Sequence, residues 1–286
     1  MNIISVNIYS DNNTPWNRRY IEFPINIEET KWPGNGCGLC NQLFRVINSL
    51  CYLTDDINNK IYFDLLSKDY LSGDTTNINS IIDLEEMRNK YDYKIYDIID
   101  FMEYNNQFNI NDDPYVFRSY QQNIDLFTKH LNNIIFDKDL EELSINIINK
   151  KGLENNIVNL AHIRIDIDFK NHMLATTGEQ SYLDLIENYR TEIYKNCDKS
   201  IPLVLLLEET DHYFVNELRK DYNIITFEKS DVLNVNPDIN GREIFALIDL
   251  LIGKNLNVNT FIGTEKSSFS IVLDKLNRYK KSLIIK

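Results

Sequence analysis

His162 and Arg164, two residues apart in the stretch AHIRIDIDF, are the pairing in this chain best suited to handling an anion. In a strand that spacing puts both side chains on one face. A guanidinium at the carboxyl end of a strand suits a diphosphate, because its planar fork meets two oxygens at once. The competing reading is structural, with Arg164 paired to Asp166 or Asp168. A second stretch, FIGTEKSSFS, ends an apolar run at Gly263 and Thr264 and opens a helix near Ser267, Ser268 and Phe269. Hydroxyls and unpaired amides at a helix start make an anion site. The same serines could equally be ordinary caps.

The third stretch is GNGCGLCNQLFRVINSL, where glycines, including Gly38, precede a helical pattern with Asn41 and Gln42 at the junction. A P-loop needs Lys and then Ser or Thr after its glycines, and here Cys40, Asn41, Gln42 and Leu43 follow. Cys37 and Cys40 form a lone CxxC. Zinc would call for a second pair of ligands, and a redox CxxC for a thioredoxin-like strand and helix around it. What remains is a glycine-rich turn feeding a helix N-terminus, whose amides favour an anion or a nucleotide sugar.

The elements that must position these residues are clearest in the second half. Strands are expected at 156–164, 201–209, 223–228 and 258–264, with a last short one in SLIIK. Helices are expected at 179–196, at 210–222 from a cap at its start, at 241–255 and at 267–280. Alternation of this length implies a parallel α/β sheet, and ligands of such sheets sit beyond the carboxyl ends of the strands. His162 and Arg164 end one strand and 264–268 follow another, so both motifs should open onto one rim. In the first half, 2–9 and 60–66 read as strands, and 41–56, 95–104 and 124–149 as mainly helical. The polar stretch NKKGLENN marks a boundary near Gly152. Two domains are expected, 1–152 and 153–286.

The chain has 286 residues, and its 43% hydrophobic content, with 17 Tyr and 14 Phe, supports sizeable cores. A net charge of −13 argues against a nucleic-acid surface, which needs a basic face, but leaves room for a small basic pocket. No stretch approaches the roughly 20 apolar residues of a membrane span. With four cysteines and no apolar leader, the cytoplasm is the expected location.

Taken in chain order, the glycine-rich turn first, then the His162–Arg164 stretch and then FIGTEKSSFS, the three stretches resemble the signature of fucosyltransferases related to protein O-fucosyltransferase. GCGLCNQLFRVINSL resembles that family's glycine-rich turn ending in Asn-Gln, and HIRIDIDF its His-aliphatic-Arg motif with an acidic and then an aromatic residue. DLLIGKNLNVNTFIGTEKSSFSIVL resembles its last long motif. The motifs run from residue 36 to about 278, with no resemblance between them. Asp166 stands where the family commonly has glycine, and Cys40 where a glycine usually precedes Asn-Gln.

The resemblance implies a GT-B fold, two Rossmann-like domains with parallel sheets facing a cleft. The C-terminal domain would hold the nucleotide sugar and the N-terminal one would lie on the acceptor side. It implies an inverting, metal-independent transfer of fucose from GDP-fucose to a protein or glycan hydroxyl, with no cofactor. Arg164 would contact the β-phosphate and His162 would lie against the donor. Ser267, Ser268 and Phe269 would hold the phosphates, with Thr264 and Gly38 also binding the donor. Asn41 would act with Arg164 in catalysis, reaching from the N-terminal domain to the donor or its leaving oxygen, and Asp249 would contact guanine or ribose. The general base is not assigned. Competing classes are a transferase using another nucleotide deoxysugar, a non-catalytic sugar-nucleotide or glycan-binding relative, and a purely structural α/β protein.

Overall fold

The computed structural model describes residues 3–6, 39–40, 43–44, 46–47, 50, 60–63, 67–68, 75–76, 80–93, 95–97, 123–276 and 279–286. The chain divides into two compact units, Met1–Glu141 with Asn240–Leu247, and Glu142–Ile239 with Ile248–Lys286. No helix among the described residues is long and apolar enough to cross a membrane.

The first unit contains a parallel sheet of β1 (Ile3–Val6), β2 (Lys60–Phe63) and β5 (Ile95–Asp97), in the order β1-β2-β5. An antiparallel pair, β3 (Ser67–Lys68) and β4 (Thr75–Thr76), stands apart from it. Leu39, Cys40, Leu43, Phe44, Val46, Ile47 and Leu50 are helical and buried. Their three- and four-residue spacing is the apolar stripe of a helix laid on a core. Phe44 packs at 4.8 Å between ring centroids on Phe127 of α2 (Ile124–Asn132). The helix α1 (Leu84–Tyr91) is started by Asp83, whose side chain accepts from the Glu86 amide. Arg88 of α1 donates to the Ile95 carbonyl at 3.0 Å.

Two readings change here. Residues 95–97, expected within a helix, are strand β5, because pairing along β2 (Ile61 to Ile95, Phe63 to Asp97) overrides a weak local preference. The helical stretch expected at 124–149 is two helices, α2 and α3 (Lys138–Lys150). The break is made by Phe136, which bridges Ile82, and by the Asp137 amide, which donates to the Ile81 carbonyl at 2.9 Å.

The second unit is built on five parallel strands in the order β10-β9-β6-β7-β8. These are β6 (Ile157–His162), β7 (Leu203–Leu206), β8 (Ile224–Thr226), β9 (Asn257–Thr264) and β10 (Lys281–Ile285). All four residues of β7 are buried, as expected of a parallel strand covered on both faces. On one face lie α4 (Ile167–Thr176) and α5 (Glu179–Asn196). The latter buries Tyr182, Leu185, Ile186, Tyr189 and Ile193, again at helical spacing. The remaining helices are α6 (Tyr213–Leu218), α7 (Lys229–Leu233), α8 (Arg242–Asn255), of which residues up to Leu247 belong to the first unit, and α9 (Ser268–Leu276).

The expected alternation of strands and helices in the second half is present, with shorter elements. The helix expected from 210 begins at Tyr213, capped by His212, whose Nδ1 accepts from the Phe214 amide at 3.3 Å. Helix α4 was not anticipated, since only Phe169 and Met173 along it are buried. Gly152, with φ at 68°, turns the chain out of α3 toward β6.

Gly263 leaves no room for a side chain. A Cβ there would meet Ser270 Cβ at 2.8 Å and Ser270 Oγ at 2.9 Å. Gly263→Ala is expected to destabilise the protein by about 1–3 kcal/mol through overpacking. A urea midpoint unchanged from wild type would show that α9 yields to accept the methyl group.

Candidate active site at the carboxyl ends of β6 and β9

β6 and β9 are neighbours, with Ala161 in register with Ile262. His162 and Gly263 therefore stand at one level of the sheet, and the chain leaves both strands on the same edge. Because Gly263 has no side chain, the Ser270 hydroxyl of α9 reaches between the strand ends. Its oxygen accepts from the Thr264 amide at 3.1 Å and lies 2.7 Å from His162 Nδ1. With the hydroxyl proton assigned to Nδ1, Ser270 accepts from Thr264 and donates to the ring, and on that assignment the imidazole proton lies on Nε2.

His162 is 6% exposed and stacks on the Phe269 ring, with centroids 4.5 Å apart. Burial, then the Arg164 charge, lowers its pKa to about 3, so at neutral pH the ring is uncharged. Thr264 is fully buried, and its hydroxyl donates to the Ile285 carbonyl at 3.1 Å and accepts from the Lys266 amide at 3.3 Å. It ties the end of β9 to β10 and spends its hydroxyl within the fold.

Arg164 lies just past β6. Its Nε sits 2.9 Å from Asp166 Oδ2. That N–H is buried and makes no hydrogen bond, so the contact is charge pairing without a directed bond. The guanidinium carbon lies 5.0 Å from the Phe169 ring centroid, within cation–π range. The Arg164 amide faces the Tyr189 hydroxyl at a long 3.5 Å. Among the described residues no acceptor serves the two Nη nitrogens, and 34% of the side chain is exposed. Of the two carboxylates anticipated as partners, Asp166 is the one engaged, while Asp168 is exposed.

Two helix starts follow these strands, and they differ in what fills them. At α4, Asp166 Oδ1 accepts from the Phe169 amide at 2.9 Å and Glu209 Oε1 accepts from the Ile167 amide at 2.9 Å. The protein's own carboxylates occupy that end. At α9, the Ser267 carbonyl accepts from Ile271, but the amides of Ser268, Phe269 and Ser270 have no acceptor among the described residues. Ser267 is 5% exposed, and its hydroxyl has no bond among those residues either. The positive end of α9 is therefore the open one.

Asp249 lies on α8, one turn before Gly253. The missing Cβ of Gly253 lets α8 close onto Leu206 of β7 and Leu273 of α9. Burial first, and then the Glu208 carboxylate, raises the Asp249 pKa to about 7. Gly38 and Asn41 lie outside the described residues. Among the described residues no group of three or more His, Cys, Asp or Glu could hold a metal ion.

No family model matches the sequence, and no curated protein matches it. Solved structures do resemble the fold. POFUT1 in complex with GDP superposes with a TM-score of 0.58 at 9% identity, covering 99% of this chain and 98% of that one. POFUT1 in complex with GDP-fucose gives the same figures, a TM-score of 0.58 at 9% identity. The fucosyltransferase NodZ from Bradyrhizobium gives 0.51 at 9% identity over 84% of this chain and 90% of that one. The fold is that of the GT-B fucosyltransferases.

Sequence reasoning did not single out Ser270, Glu209 or Tyr189. Ser270 is the last residue of the motif FIGTEKSSFS, and the signal for it was Gly263, which implies something pressed against the strand end. Glu209 and Tyr189 reach the rim from other elements and carry no local signal.

The buried histidines make stability depend on acid. His130 in the first unit is 1% exposed and accepts from, or donates to, the Tyr93 hydroxyl at 2.7 Å. Burial, then Lys129, lowers its pKa to about 4. Both rings are held below the ordinary value of 6.5, so on acidification the unfolded chain takes up protons first. Their stabilising contribution is whole above pH 6.5. It falls as pH drops, by up to about 1.4 kcal/mol per pH unit for each ring, until about 4 for His130 and about 3 for His162. Urea midpoints measured from pH 7 to 4 should fall accordingly, and His162→Gln should flatten the slope. The raised Asp249 carboxyl takes up its proton first in the folded state and works in the opposite sense, so the comparison decides: the same pH dependence in wild type and His162→Gln would contradict neutral burial of His162.

Proposed function

We propose that the protein is a glycosyltransferase that moves fucose from GDP-fucose to a protein or glycan hydroxyl, with inversion and without a metal. The observation that carries the reading is the pairing, on adjacent strand ends, of an arginine with unengaged Nη nitrogens and a helix start with open amides. The shared fold supports it, since POFUT1 is seen with GDP and with GDP-fucose. In this reading the C-terminal domain, 153–286, takes the nucleotide sugar, and 1–152 lies on the acceptor side.

The chemistry suits these groups. As the sugar gains oxocarbenium character, charge grows on the β-phosphate of the departing GDP. A preorganised donor aimed at such charge is worth about 3 kcal/mol where one has been removed by mutation. Arg164 is the proposed catalytic donor, and the Ser268 and Phe269 amides with the Ser267 and Ser268 hydroxyls hold the phosphates. His162, neutral and steadied by Ser270, offers Nε2–H to the donor without adding charge. Thr264 contributes by fixing the strand end from which α9 starts. Asp249 is assigned to guanine or ribose, and Asn41, with the turn at Gly38, to the donor from the N-terminal domain.

Calorimetry with GDP, UDP and TDP tests the donor class. GDP should bind, and Arg164→Ala should cut GDP release from GDP-fucose by about 100-fold or more. Arg164→Lys should not restore it, because a point charge cannot replace the fork. Binding of UDP or TDP but not GDP would overturn the fucosyl assignment, and GDP binding without turnover would point to a binding module.

A further inference from the structure

We infer that Asp166 is a positioning residue for Arg164, a role that rests on the reading of the rim as a diphosphate site. Its carboxylate is divided between two tasks. Oδ1 accepts the Phe169 amide and starts α4, while Oδ2 lies 2.9 Å from Arg164 Nε. The Asp166 side chain is only 7% exposed, against 34% for Arg164, so the fixed member of the pair is the carboxylate. Phe169, held by that same cap, supplies the ring face 5.0 Å from the guanidinium carbon. Glu209 pins the first amide of α4 from the β7 side at 2.9 Å. Arg164 is thus held along its Nε edge by charge and on one face by an aromatic ring, both carried on one anchored helix start.

That arrangement assigns the edges of the guanidinium. The Nε edge belongs to the protein, and the Nη edge is left for the ligand. The carboxylate also offsets the attraction of Arg164 for any anion, so the two consequences of removing it oppose each other in binding but not in turnover. Loss of the negative charge favours GDP binding, whereas loss of orientation weakens the aim of the donor at the developing charge.

The test is Asp166→Asn, which keeps an oxygen able to cap α4 and removes the charge. The thermal midpoint should stay within about 2 °C of wild type, and GDP affinity should not weaken by more than about threefold. GDP release from saturating GDP-fucose should fall by about tenfold or more. The Arg164 Nε–H signal, assigned by NMR with Arg164→Lys, should shift and exchange faster with water in the Asn variant without any ligand present. Wild-type turnover in the variant, or an unchanged Nε–H signal, overturns the positioning role. Wild-type protein that binds neither GDP nor inorganic pyrophosphate overturns the diphosphate reading, and this role with it, before any variant is made.

Discussion

The site depends on one short contact, the approach of Ser270 to the backbone of Gly263. With no Cβ at 263, helix α9 seats close enough for a buried hydroxyl to serve two strands, accepting from Thr264 on β9 and meeting His162 on β6. The contact seats the first turn of α9 against the end of β9, beside the open amides, and puts the Ser270 hydroxyl 2.7 Å from the Nδ1 of the histidine there. A buried hydroxyl left without partners costs about 1–3 kcal/mol. The Ser270–His162–Thr264 network is therefore held as a unit, and any adjustment at the strand end is felt at the helix start.

The protein is acidic overall, yet the rim at the ends of β6 and β9 carries a guanidinium and a helix start whose amides have no acceptor among the described residues. Two local features make the difference. At α4 the positive helix end is already satisfied by Asp166 and Glu209, so the carboxylates at that corner are spent on backbone amides. At α9 the amides remain open, worth roughly half a positive charge at the helix terminus. His162 adds no charge there, because burial keeps its ring neutral.

Much of the second unit was legible because its elements follow simple rules. The apolar run at 203–206 reads as a doubly covered strand, and α5 shows its three- and four-residue spacing along Glu179–Asn196. The first half resisted for an equally physical reason. β5 is three residues long and owes its conformation to pairing with β2, a partner more than 30 residues away in sequence. Helix α4 carries only two buried residues, so its periodicity is faint, and what starts it is a carboxylate that also answers to Arg164. At the rim, His162, Arg164 and the serines that open α9 were visible as motifs. Those that hold them, Ser270, Glu209 and Tyr189, were not, because a supporting contact is made across the fold and leaves no spacing to read. The fold persists at 9% identity to POFUT1 for the same reason. What must be kept is which positions are buried and where strands end, and many sequences satisfy that.

The aspartate in the place of a glycine bears on how such a site would spend its binding energy. At 4 Å two unit charges interact by about 4 kcal/mol for an effective dielectric constant near 20, so Asp166 offsets a substantial part of the attraction between Arg164 and an anion. Holding the ground-state diphosphate less tightly is no loss to catalysis. Interactions shared equally by ground and transition states lower KM without raising kcat. What accelerates departure is the part of the interaction that grows with charge on the leaving oxygens, and that part depends on how well the Nη edge is aimed. A carboxylate on the Nε edge moderates the first quantity and secures the second, so an acidic residue beside the arginine is compatible with, and by this argument favourable to, transfer from a nucleoside diphosphate sugar.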